Sequence, residues 1–242
     1  GGLRLGALVT HGEIVADRTI RERFTALADA SAIVGSHATR AQGTIGGNVM
    51  NASPAMDTGG PLLCFGASAD LRSASGERAL PLEQLWTGPG ETAADPRELL
   101  VRVDVPAPAP ATGSAYVRLE YRRQMEIAVV GVTAVVRLDA GSVSDARVAI
   151  TTLAPTIRRV SEAEAALIGS DGGDEAIAEA ARAAASGSSP ITDVRSSAEY
   201  RSAMANVIAR RAIVVALARA RGEHVPIPAS AATYASVGGT ST

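Results

Sequence analysis

The chain has 242 residues, of which 46% are hydrophobic, and it carries a net charge of −2 with an isoelectric point near 6.0. This length allows one large or two small domains with hydrophobic cores. The near-neutral charge gives no electrostatic footprint for nucleic acid, and no apolar run reaches the roughly 18 residues of a membrane span. The single cysteine, Cys64, excludes an internal disulfide and favours a reducing compartment. Because the first ten residues also show no export signal, the expected location is the cytoplasm.

Several kinds of site are excluded by residues that the sequence lacks. All 23 basic residues are arginine, so a Walker-type phosphate loop and a Schiff base with pyridoxal phosphate are excluded, because both need lysine. One cysteine cannot ligate an iron–sulfur cluster, which takes about four thiolates. His11, His37 and His224 are scattered, with no second ligand at the spacing of a zinc site, so no metal site is predicted.

The first part of the chain is predicted to mix short strands and helices. Residues 3–9 alternate apolar and polar side chains, which predicts a strand, and residues 19–30 carry apolar side chains at helical spacing. A short apolar helix is predicted at residues 61–65. A hairpin follows, with its turn at residues 75–76, and a strand that ends at Pro106 closes this part.

A proline-rich segment separates this part from the next. The sequence VPAPAPATG alternates proline with small residues, which predicts an extended, semi-rigid linker at residues 107–113. Beyond it, two β-branched runs joined around residues 139–141 predict a second hairpin.

Helices are predicted to follow this hairpin. Capping boxes are predicted at residues 161–164 and 196–199, each with serine first and glutamate fourth. The last helix is predicted over residues 197–221, with Gly222 as its stop, and residues 226–242 are predicted to form a flexible tail. The predicted apolar face of the last helix consists of Tyr200, Met204, Val207, Ile208, Val214 and Leu217.

The segment GTIGGN, residues 43–48, is the candidate binding site. Glycine has no Cβ, so the backbone can turn sharply and approach a ligand, and successive amide N–H groups then form an anion-binding concavity. Thr44 adds a hydroxyl donor and Asn48 an amide, while Asp57 could accept hydrogen bonds from sugar hydroxyls. The alternative is a tight turn beside a packed helix, in which Asn48 and Asn51 are local caps.

The wider stretch RAQGTIGGNVMNASPAMD resembles the second flavin-binding motif in the FAD-binding subunit of molybdenum hydroxylases, the family of xanthine dehydrogenase and aerobic carbon monoxide dehydrogenase. LRLGALVTHGEI before it, and YVRLEYRRQMEIAVVGVTAVVRL and AEYRSAMANVIARRAIVVAL after it, resemble the corresponding parts of the same subunit. The resemblance extends to about Gly222. It implies an α+β fold, with the second lobe of a PCMH-type FAD-binding domain at residues 1–106 and a C-terminal sheet-plus-helices domain at residues 114–225.

Carried onto this sequence, the resemblance also implies which residues bind FAD. The residues that match its phosphate contacts are Thr44, Ile45, Gly46, Gly47 and Asn48. Asp57 matches the family's acid after the motif asparagine, and Leu100 matches an apolar residue beside the flavin ring, although core packing explains Leu100 equally well. Arg118 stands where many members have a lysine near the ring; arginine keeps the charge but changes its geometry and cannot lend a proton.

Members of the family carry an earlier motif, Ala-Gly-Gly-Thr, in an N-terminal lobe that this sequence does not contain. The family's flavin lies between the two lobes, so the expectation is a fragment, or the ordered part, of a longer chain. The alternative is a flavin-free relative. The first is favoured because every glycine of the second motif is kept.

The function that the resemblance implies is electron transfer. FAD on this chain would receive electrons from [2Fe–2S] clusters of a small subunit and deliver them to an external acceptor, while a large subunit carries the molybdenum cofactor. The implied assembly is a dimer of such heterotrimers, and no side chain of this chain is expected to act as nucleophile or acid. The alternatives are a flavin-free structural subunit of the same type of complex and a free-standing flavoenzyme, for which no proton-transfer residue is evident.

Overall fold

The computed structural model describes residues 1–122 and 124–235. The elements of the first part are β1 (Leu3–Gly6), α1 (His11–Ala16), α2 (Arg18–Arg23), α3 (Thr25–Ala32), α4 (His37–Gln42), α5 (Ile45–Met50), α6 (Gly59–Cys64), β2 (Ser68–Ser73), β3 (Gly76–Pro81), α7 (Leu82–Leu85), β4 (Trp86–Gly88), β5 (Glu91–Thr92) and β6 (Leu99–Val105). The elements of the second part are β7 (Thr112–Leu119), β8 (Val130–Asp139), β9 (Ser142–Thr151), β10 (Arg158–Arg159), α8 (Ser161–Leu167), α9 (Asp174–Ser186), α10 (Ala198–Ala220) and α11 (Ala229–Ala235). Both parts mix helices with sheet.

Each part contains one four-stranded antiparallel sheet. The first has the strand order β1-β6-β2-β3. In it, Val103 of β6 lies between Leu5 of β1 and Ala69 of β2. The second has the order β10-β9-β8-β7. The strands β4 and β5, which lie between β3 and β6 in the chain, form a separate two-stranded sheet. The short loops between neighbouring strands favour antiparallel pairing, as in β2–β3 and β8–β9.

The two faces of the second sheet belong to different hydrophobic cores. Val132, Ala134 and Val136 lie in the core built with α9 and α10, whereas Tyr116 and Val135 lie in the core of the first part. Helices α3 and α6 of the first part pack directly on this sheet. The sheet is therefore a middle layer, which explains the continuous apolar run in β8.

The free edge of β7 is covered by side chains from distant helices. The buried Asp29 of α3 accepts a hydrogen bond from the Tyr116 amide (3.2 Å) and pairs with Arg219 of α10 (2.6 Å). Ser230 of α11 accepts from the Arg118 amide (3.0 Å). These contacts join the two parts directly, so the domain boundaries at residues 106 and 114 stay predictions.

The predicted strands and hairpins are confirmed with small shifts. The first strand ends at Gly6, and the hairpin turns lie between β2 and β3 and between β8 and β9. In the second turn, Ala140 and Gly141 both have positive φ (48° and 85°), as a two-residue hairpin turn requires. The helix predicted over residues 19–30 is instead two helices, because Phe24 leaves helical geometry (φ −124°, ψ 47°). The ring of this fully buried residue packs edge-on against Phe65, with 5.1 Å between ring centroids.

The predicted capping box at residues 161–164 is wrong. Val160 is the N-cap of α8 and makes no side-chain cap. The Glu164 carboxylate instead accepts from the Val148 amide (3.0 Å) and from the Arg159 guanidinium (2.8 and 2.7 Å). Glu164 therefore bonds to residues of the neighbouring strands instead of to the start of its own helix.

The capping box predicted at residues 196–199 is wrong, because Ser197 rather than Ser196 is the N-cap and the residue three positions on is a tyrosine. Ser197 caps α10 by accepting a hydrogen bond from the Tyr200 amide (3.1 Å). The predicted stop is confirmed, since Gly222 follows the helix with φ of 85°.

The predicted apolar face of α10 is partly wrong. The residues that α10 buries include Ala205, Ile208, Ala209, Ala212, Ala216 and Leu217. Three residues of the predicted face, Tyr200, Val207 and Val214, are 43%, 36% and 44% exposed. Small side chains let the helix approach the sheet closely: a Cβ on Gly113 would lie 2.1 Å from the Ala216 carbonyl oxygen. The buried face combines its alanines with larger side chains, among them Ile213 and Val215, and the close approach to the sheet lies at its C-terminal part.

The predicted flexible tail is wrong for residues 229–235, which form α11 and pack on β7. Ala229 and Ser230 are buried there. Residues 236–242 lie outside the described part. Among the helices of the described residues, none combines the length and hydropathy needed to cross a bilayer.

Candidate functional site

In the glycine segment, residues 43–48, Gly43 and Thr44 are extended, and residues 45–48 form the start of helix α5 rather than a loop. Thr44 is the N-cap of α5, and its hydroxyl oxygen accepts a hydrogen bond from the Gly47 amide (3.1 Å). Neither Gly46 nor Gly47 has the positive φ that would make glycine obligatory for conformational reasons. The prediction of a sharp glycine turn is therefore wrong, and the glycines must be explained by what surrounds them.

The backbone amides of the segment already donate within the chain. Ile45 donates to the Val9 carbonyl (2.8 Å) and Gly46 to the Ala7 carbonyl (2.9 Å), which fixes the start of α5 to the connection after β1. Asn48 donates to the Thr44 carbonyl (3.0 Å), as a helical residue does. The predicted anion-binding concavity of successive amides is therefore wrong. Hydrogen-bond donors for a ligand must come mainly from side chains.

The two neighbouring glycines have different surroundings. Gly46 is buried, and a Cβ there would lie 2.5 Å from the Ala7 carbonyl oxygen, so the fold itself requires glycine. Gly47 is exposed, and the nearest atom to a Cβ would be the Thr44 hydroxyl oxygen at 3.1 Å. The chain leaves an open face at Gly47, which is where a ligand could come close to the backbone.

Two side chains keep donors at this face. The Thr44 hydroxyl accepts from Gly47 and retains its own proton for another acceptor. The Asn48 side-chain oxygen accepts from the Thr58 hydroxyl (2.6 Å), which leaves the Asn48 NH₂ group as its available end. Both donors are uncharged and suit phosphate oxygens.

His11 lies beneath the segment. It is buried, and its amide donates to the Gly43 carbonyl (3.0 Å). Its Nδ1 has no hydrogen-bond partner among the described residues. Burial, with the Arg40 charge as a second cause, lowers the pKa of His11 to about 4, so the glycine segment rests on a neutral imidazole.

Asp57 and Arg118 form a buried ion pair, which we call the Asp57–Arg118 cluster together with Tyr116 and Glu120. The Asp57 carboxylate accepts from Arg118 Nη1 (2.8 Å) and from the Tyr116 hydroxyl (2.7 Å). Arg118 Nε donates to Glu120, and its Nη2 is buried without a partner among the described residues. Arg118 is fully buried, so the cluster ties the chain after α5 to β7.

Charge and burial act against each other in this cluster. Burial raises the pKa of Asp57, and Arg118 and Tyr116 oppose that rise. Burial by itself would lower the pKa of Arg118, but the charges of Asp57 and Glu120 raise it, so the guanidinium stays protonated. Burial and the Asp57 charge raise the pKa of Tyr116, which keeps its hydroxyl as a donor.

Leu100 lies on β6, opposite Leu71 of β2, and packs partly buried against the core of the first part. Its neighbour Val101 accepts from the Ala7 amide (2.9 Å), and Ala7 in turn accepts from Gly46. Leu100 therefore lies one strand away from the glycine segment, and these contacts are consistent with core packing.

A cavity of about 660 Å³, which we call the α4 cavity, lies beside these groups. Its lining includes Ile33, His37, Arg40, Glu120, Tyr121 and Tyr234. Helix α4 leads directly into the glycine segment, and Glu120 belongs to both the cavity and the Asp57–Arg118 cluster. Sequence reasoning missed this cavity because four separate stretches build it, one of them inside the predicted flexible tail.

The structure thus connects three of the predicted residues, Asn48, Asp57 and Arg118, through a series of contacts. Asn48 bonds to Thr58, Thr58 adjoins Asp57, Asp57 pairs with Arg118, and Arg118 contacts Glu120 at the α4 cavity. The volume of the cavity falls within the roughly 300–1,000 Å³ of small-molecule sites. An open face with two neutral donors, linked through the Asp57–Arg118 cluster to such a cavity, fits a pyrophosphate that carries a ring system, as in FAD. Within the described residues, no group of three or more His, Cys, Asp or Glu side chains is placed to hold a metal ion.

Comparison with known proteins agrees with this fit. Residues 1–108 match the family model of the FAD binding domain in molybdopterin dehydrogenase, and residues 115–216 match that of the CO dehydrogenase flavoprotein C-terminal domain. The carbon monoxide dehydrogenase medium chain of Hydrogenophaga pseudoflava is 31% identical over 89% of this chain and 75% of its own length. The xanthine dehydrogenase FAD-binding subunit of Escherichia coli is 28% identical over 92% of this chain and 77% of its own length.

Solved structures give the same result. Carbon monoxide dehydrogenase from Hydrogenophaga pseudoflava superposes with a TM-score of 0.86 at 32% identity, over 90% of this chain and 76% of that one. Quinoline 2-oxidoreductase from Pseudomonas putida superposes with a TM-score of 0.84 at 27% identity, over 92% of this chain and 76% of that one. The predicted α+β fold and the resemblance of the sequence are both confirmed. The chain belongs to the family of FAD-binding medium subunits of molybdenum hydroxylase-type dehydrogenases, and it is an oxidoreductase subunit.

Proposed function

We propose that this chain binds FAD and passes electrons through it, from [2Fe–2S] clusters of a small subunit to an external acceptor. The large subunit of the same complex would carry the molybdenum cofactor. The observation that carries this proposal is the continuity from the Gly47 face, through the Asp57–Arg118 cluster, to the α4 cavity. FAD, when bound, supplies the redox chemistry, because it can take up electrons singly or in pairs.

The residues of the glycine segment divide into two roles. Thr44 and Asn48 are proposed to donate to the pyrophosphate across the open face of Gly47, which is supported by their unused hydroxyl proton and NH₂ group. Ile45 and Gly46 are proposed to hold α5 in place, since their amides are bonded to the connection after β1. Residues proposed to contact the ligand therefore lie on either side of residues proposed to support α5.

The remaining predicted residues are proposed to shape the site from beneath. Asp57 holds Arg118, which contributes a buried positive charge and an Nη2 that has no partner among the described residues, in the series of contacts from Asn48 to the α4 cavity. Leu100 is proposed to border the flavin ring from β6, next to the strand contact that fixes Ala7. None of these side chains is required to exchange a proton with a substrate.

The assembly is proposed to be a dimer of heterotrimers in the cytoplasm. The relatives named as medium chains support a multi-subunit complex. The one cysteine is buried, and burial raises the pKa of the Cys64 thiol, which suits a structural thiol in a reducing compartment. Size-exclusion chromatography of the native protein tests the assembly, and a stable monomer would contradict it.

The rival function is a flavin-free subunit that only scaffolds the complex. Flavin absorbance and the molar ratio of FAD to this chain in the purified native complex separate the two. One FAD per chain supports the proposal. A complete complex without flavin, unable to take up added FAD, would overturn the proposal and favour the scaffold.

A further inference from the structure

Helix α11 forms part of the wall of the α4 cavity. Pro228, Ser230, Ala231 and Tyr234, all in this helix or just before it, line the cavity together with residues of α1, α3, α4 and the segment after β7. The match to the family model of the C-terminal domain ends at residue 216, so α11 lies beyond it. This part of the wall therefore comes from residues that the family model does not describe.

Hydrogen bonds hold α11 against the edge of β7. The buried Asp29 carboxylate accepts from the Ala229 amide at the start of the helix (2.9 Å). The Ser230 hydroxyl oxygen accepts from the Arg118 amide (3.0 Å), and the Tyr234 hydroxyl donates to the Arg118 carbonyl (3.0 Å). Because both backbone polar groups of Arg118 are bonded to α11, the position of Tyr234 is coupled to the Asp57–Arg118 cluster.

The Tyr234 ring is in contact with a cation and also lines the cavity. The Arg211 guanidinium carbon lies 5.0 Å from the centroid of the ring, within the range of a cation–π contact. Arg211 does not line the α4 cavity, whereas the half-buried Tyr234 does. Burial raises the pKa of Tyr234, against the opposing charge of Arg211, so the hydroxyl stays protonated and keeps its bond to Arg118. An aromatic ring fixed at a cavity wall is suited to offset stacking against another flat ring.

The rest of the lining also suits a flat aromatic ligand. The volume of about 660 Å³ is large enough for a ring system of drug size. Polar groups at the cavity include Arg40, Glu120 and Arg122, which supply hydrogen-bond donors and an acceptor for the polar edge of a ring. The aliphatic side chains of the lining are Val15, Ala32, Ile33, Ala41 and Ala231. Apolar walls with a few polar groups and one fixed aromatic side chain fit a heteroaromatic ring better than a phosphate or a sugar.

We propose that α11 is a wall of the flavin-ring site and that Tyr234 stacks on the ring. The inference deepens the proposed function and rests on it, since the ring is that of FAD held by the glycine segment. It adds a ligand-contacting residue from beyond the family-model match. The Tyr234 hydroxyl anchors the helix to Arg118, while the aromatic ring contacts the ligand, so the two parts of this side chain have separate roles.

The test compares Tyr234→Phe with Tyr234→Leu in the native complex. Both variants lose the hydroxyl bond to Arg118, but only phenylalanine keeps an aromatic ring, so the difference between them separates stacking from anchoring. Tyr200→Leu is the matched control, because Tyr200 is a 43% exposed tyrosine of α10 that does not line the cavity. Titration of FAD into each complex after removal of its flavin gives the Kd, and the absorption spectrum of the bound flavin is recorded.

Circular dichroism and thermal unfolding confirm that each variant is folded. A second aliphatic variant, Tyr234→Met, replaces Tyr234→Leu in the comparison if leucine causes a folding defect.

We expect the Kd of FAD to be about five- to tenfold higher in Tyr234→Leu than in Tyr234→Phe, as for the loss of one aromatic pair. The absorption band of the bound flavin should shift in Tyr234→Leu and stay in place in Tyr234→Phe, and Tyr200→Leu should match the wild type. Equal Kd values and equal spectra for the folded leucine and phenylalanine variants would overturn the proposal. Absence of FAD from the wild-type complex would contradict the proposed function separately, because it is read before any substitution is made.

Discussion

The glycine segment and the Asp57–Arg118 cluster differ in whether their polar side chains are available to a ligand or paired with one another. In the segment, Thr44 and Asn48 keep a proton and an NH₂ group at an open surface. In the cluster, the fully buried guanidinium of Arg118 donates to the carboxylates of Asp57 and Glu120. The Tyr116 hydroxyl donates a further hydrogen bond to Asp57. The difference shows that residues matched to one cofactor site can divide into those that face the ligand and those that support the fold behind it. Substitutions in the two regions should therefore separate stability from binding.

The largest effect on stability is expected for Arg118→Met. The variant leaves the buried Asp57 and the half-buried Glu120 without their cation, and removing one partner of a buried ion pair costs about 3–5 kcal/mol. Urea denaturation of the variant and the wild type measures the loss. Arg18→Met removes an exposed arginine from a surface pair and should change stability by less than about 0.5 kcal/mol. A loss below about 1 kcal/mol for Arg118→Met would show that the cluster is not a support of the fold.

Gly46→Val should destabilise the chain next most. The first atom of the new side chain would meet the Ala7 carbonyl oxygen, which belongs to the backbone and cannot rotate away. The cost should lie at the upper end of the about 1–3 kcal/mol known for overpacking, and flavin should be lost with the local structure. Thermal unfolding together with flavin content checks both. A variant of normal stability would remove the structural reason given for this glycine.

The glycine segment should also loosen in mild acid because of His11. The unfolded chain binds a proton at this histidine near pH 6.5, and the folded chain only near pH 4. Between these values the unfolded state holds more protons, so stability falls as the pH falls through that window, by about 1.4 kcal/mol per unit at most.

Wild type should therefore lose about 2 kcal/mol more than His11→Gln between pH 7 and pH 5. Urea denaturation of both proteins at the two pH values measures the difference. Equal losses in the two proteins would show that this histidine does not couple the segment to pH.

The smallest effect on stability is expected for Gly47→Val. The position is exposed, and the atom closest to a new Cβ would be the capping hydroxyl oxygen of Thr44 at 3.1 Å, which has to shift slightly, so stability should fall by no more than about 1 kcal/mol. Flavin retention by the complex should nevertheless be abolished, because a branched side chain fills the open face between Thr44 and Asn48. Absorbance of the purified complex gives the flavin content. Normal flavin in a folded Gly47→Val variant would place the phosphate elsewhere.

Local chemistry determined much of the fold directly. The two hairpins, the strand that ends before Pro106 and the limits of α10 follow from turn residues, β-branched runs and the stop at Gly222. These features depend on neighbours in the sequence, which is why the pattern predicts them. The order of motifs along the chain was also enough to identify the family by resemblance.

Only the tertiary structure decided the site and the faces of the helices. Asp57 and Arg118 meet because the chain after α5 packs on β7, and Glu164 leaves its predicted cap for a partner on β9. The C-terminal part of α10 buries Ala216 where the helix approaches Gly113 closely, whereas Tyr200 and Val214 stay exposed. These outcomes depend on contacts between residues far apart in the chain, where burial and ion pairing act across distances in sequence that no local pattern encodes.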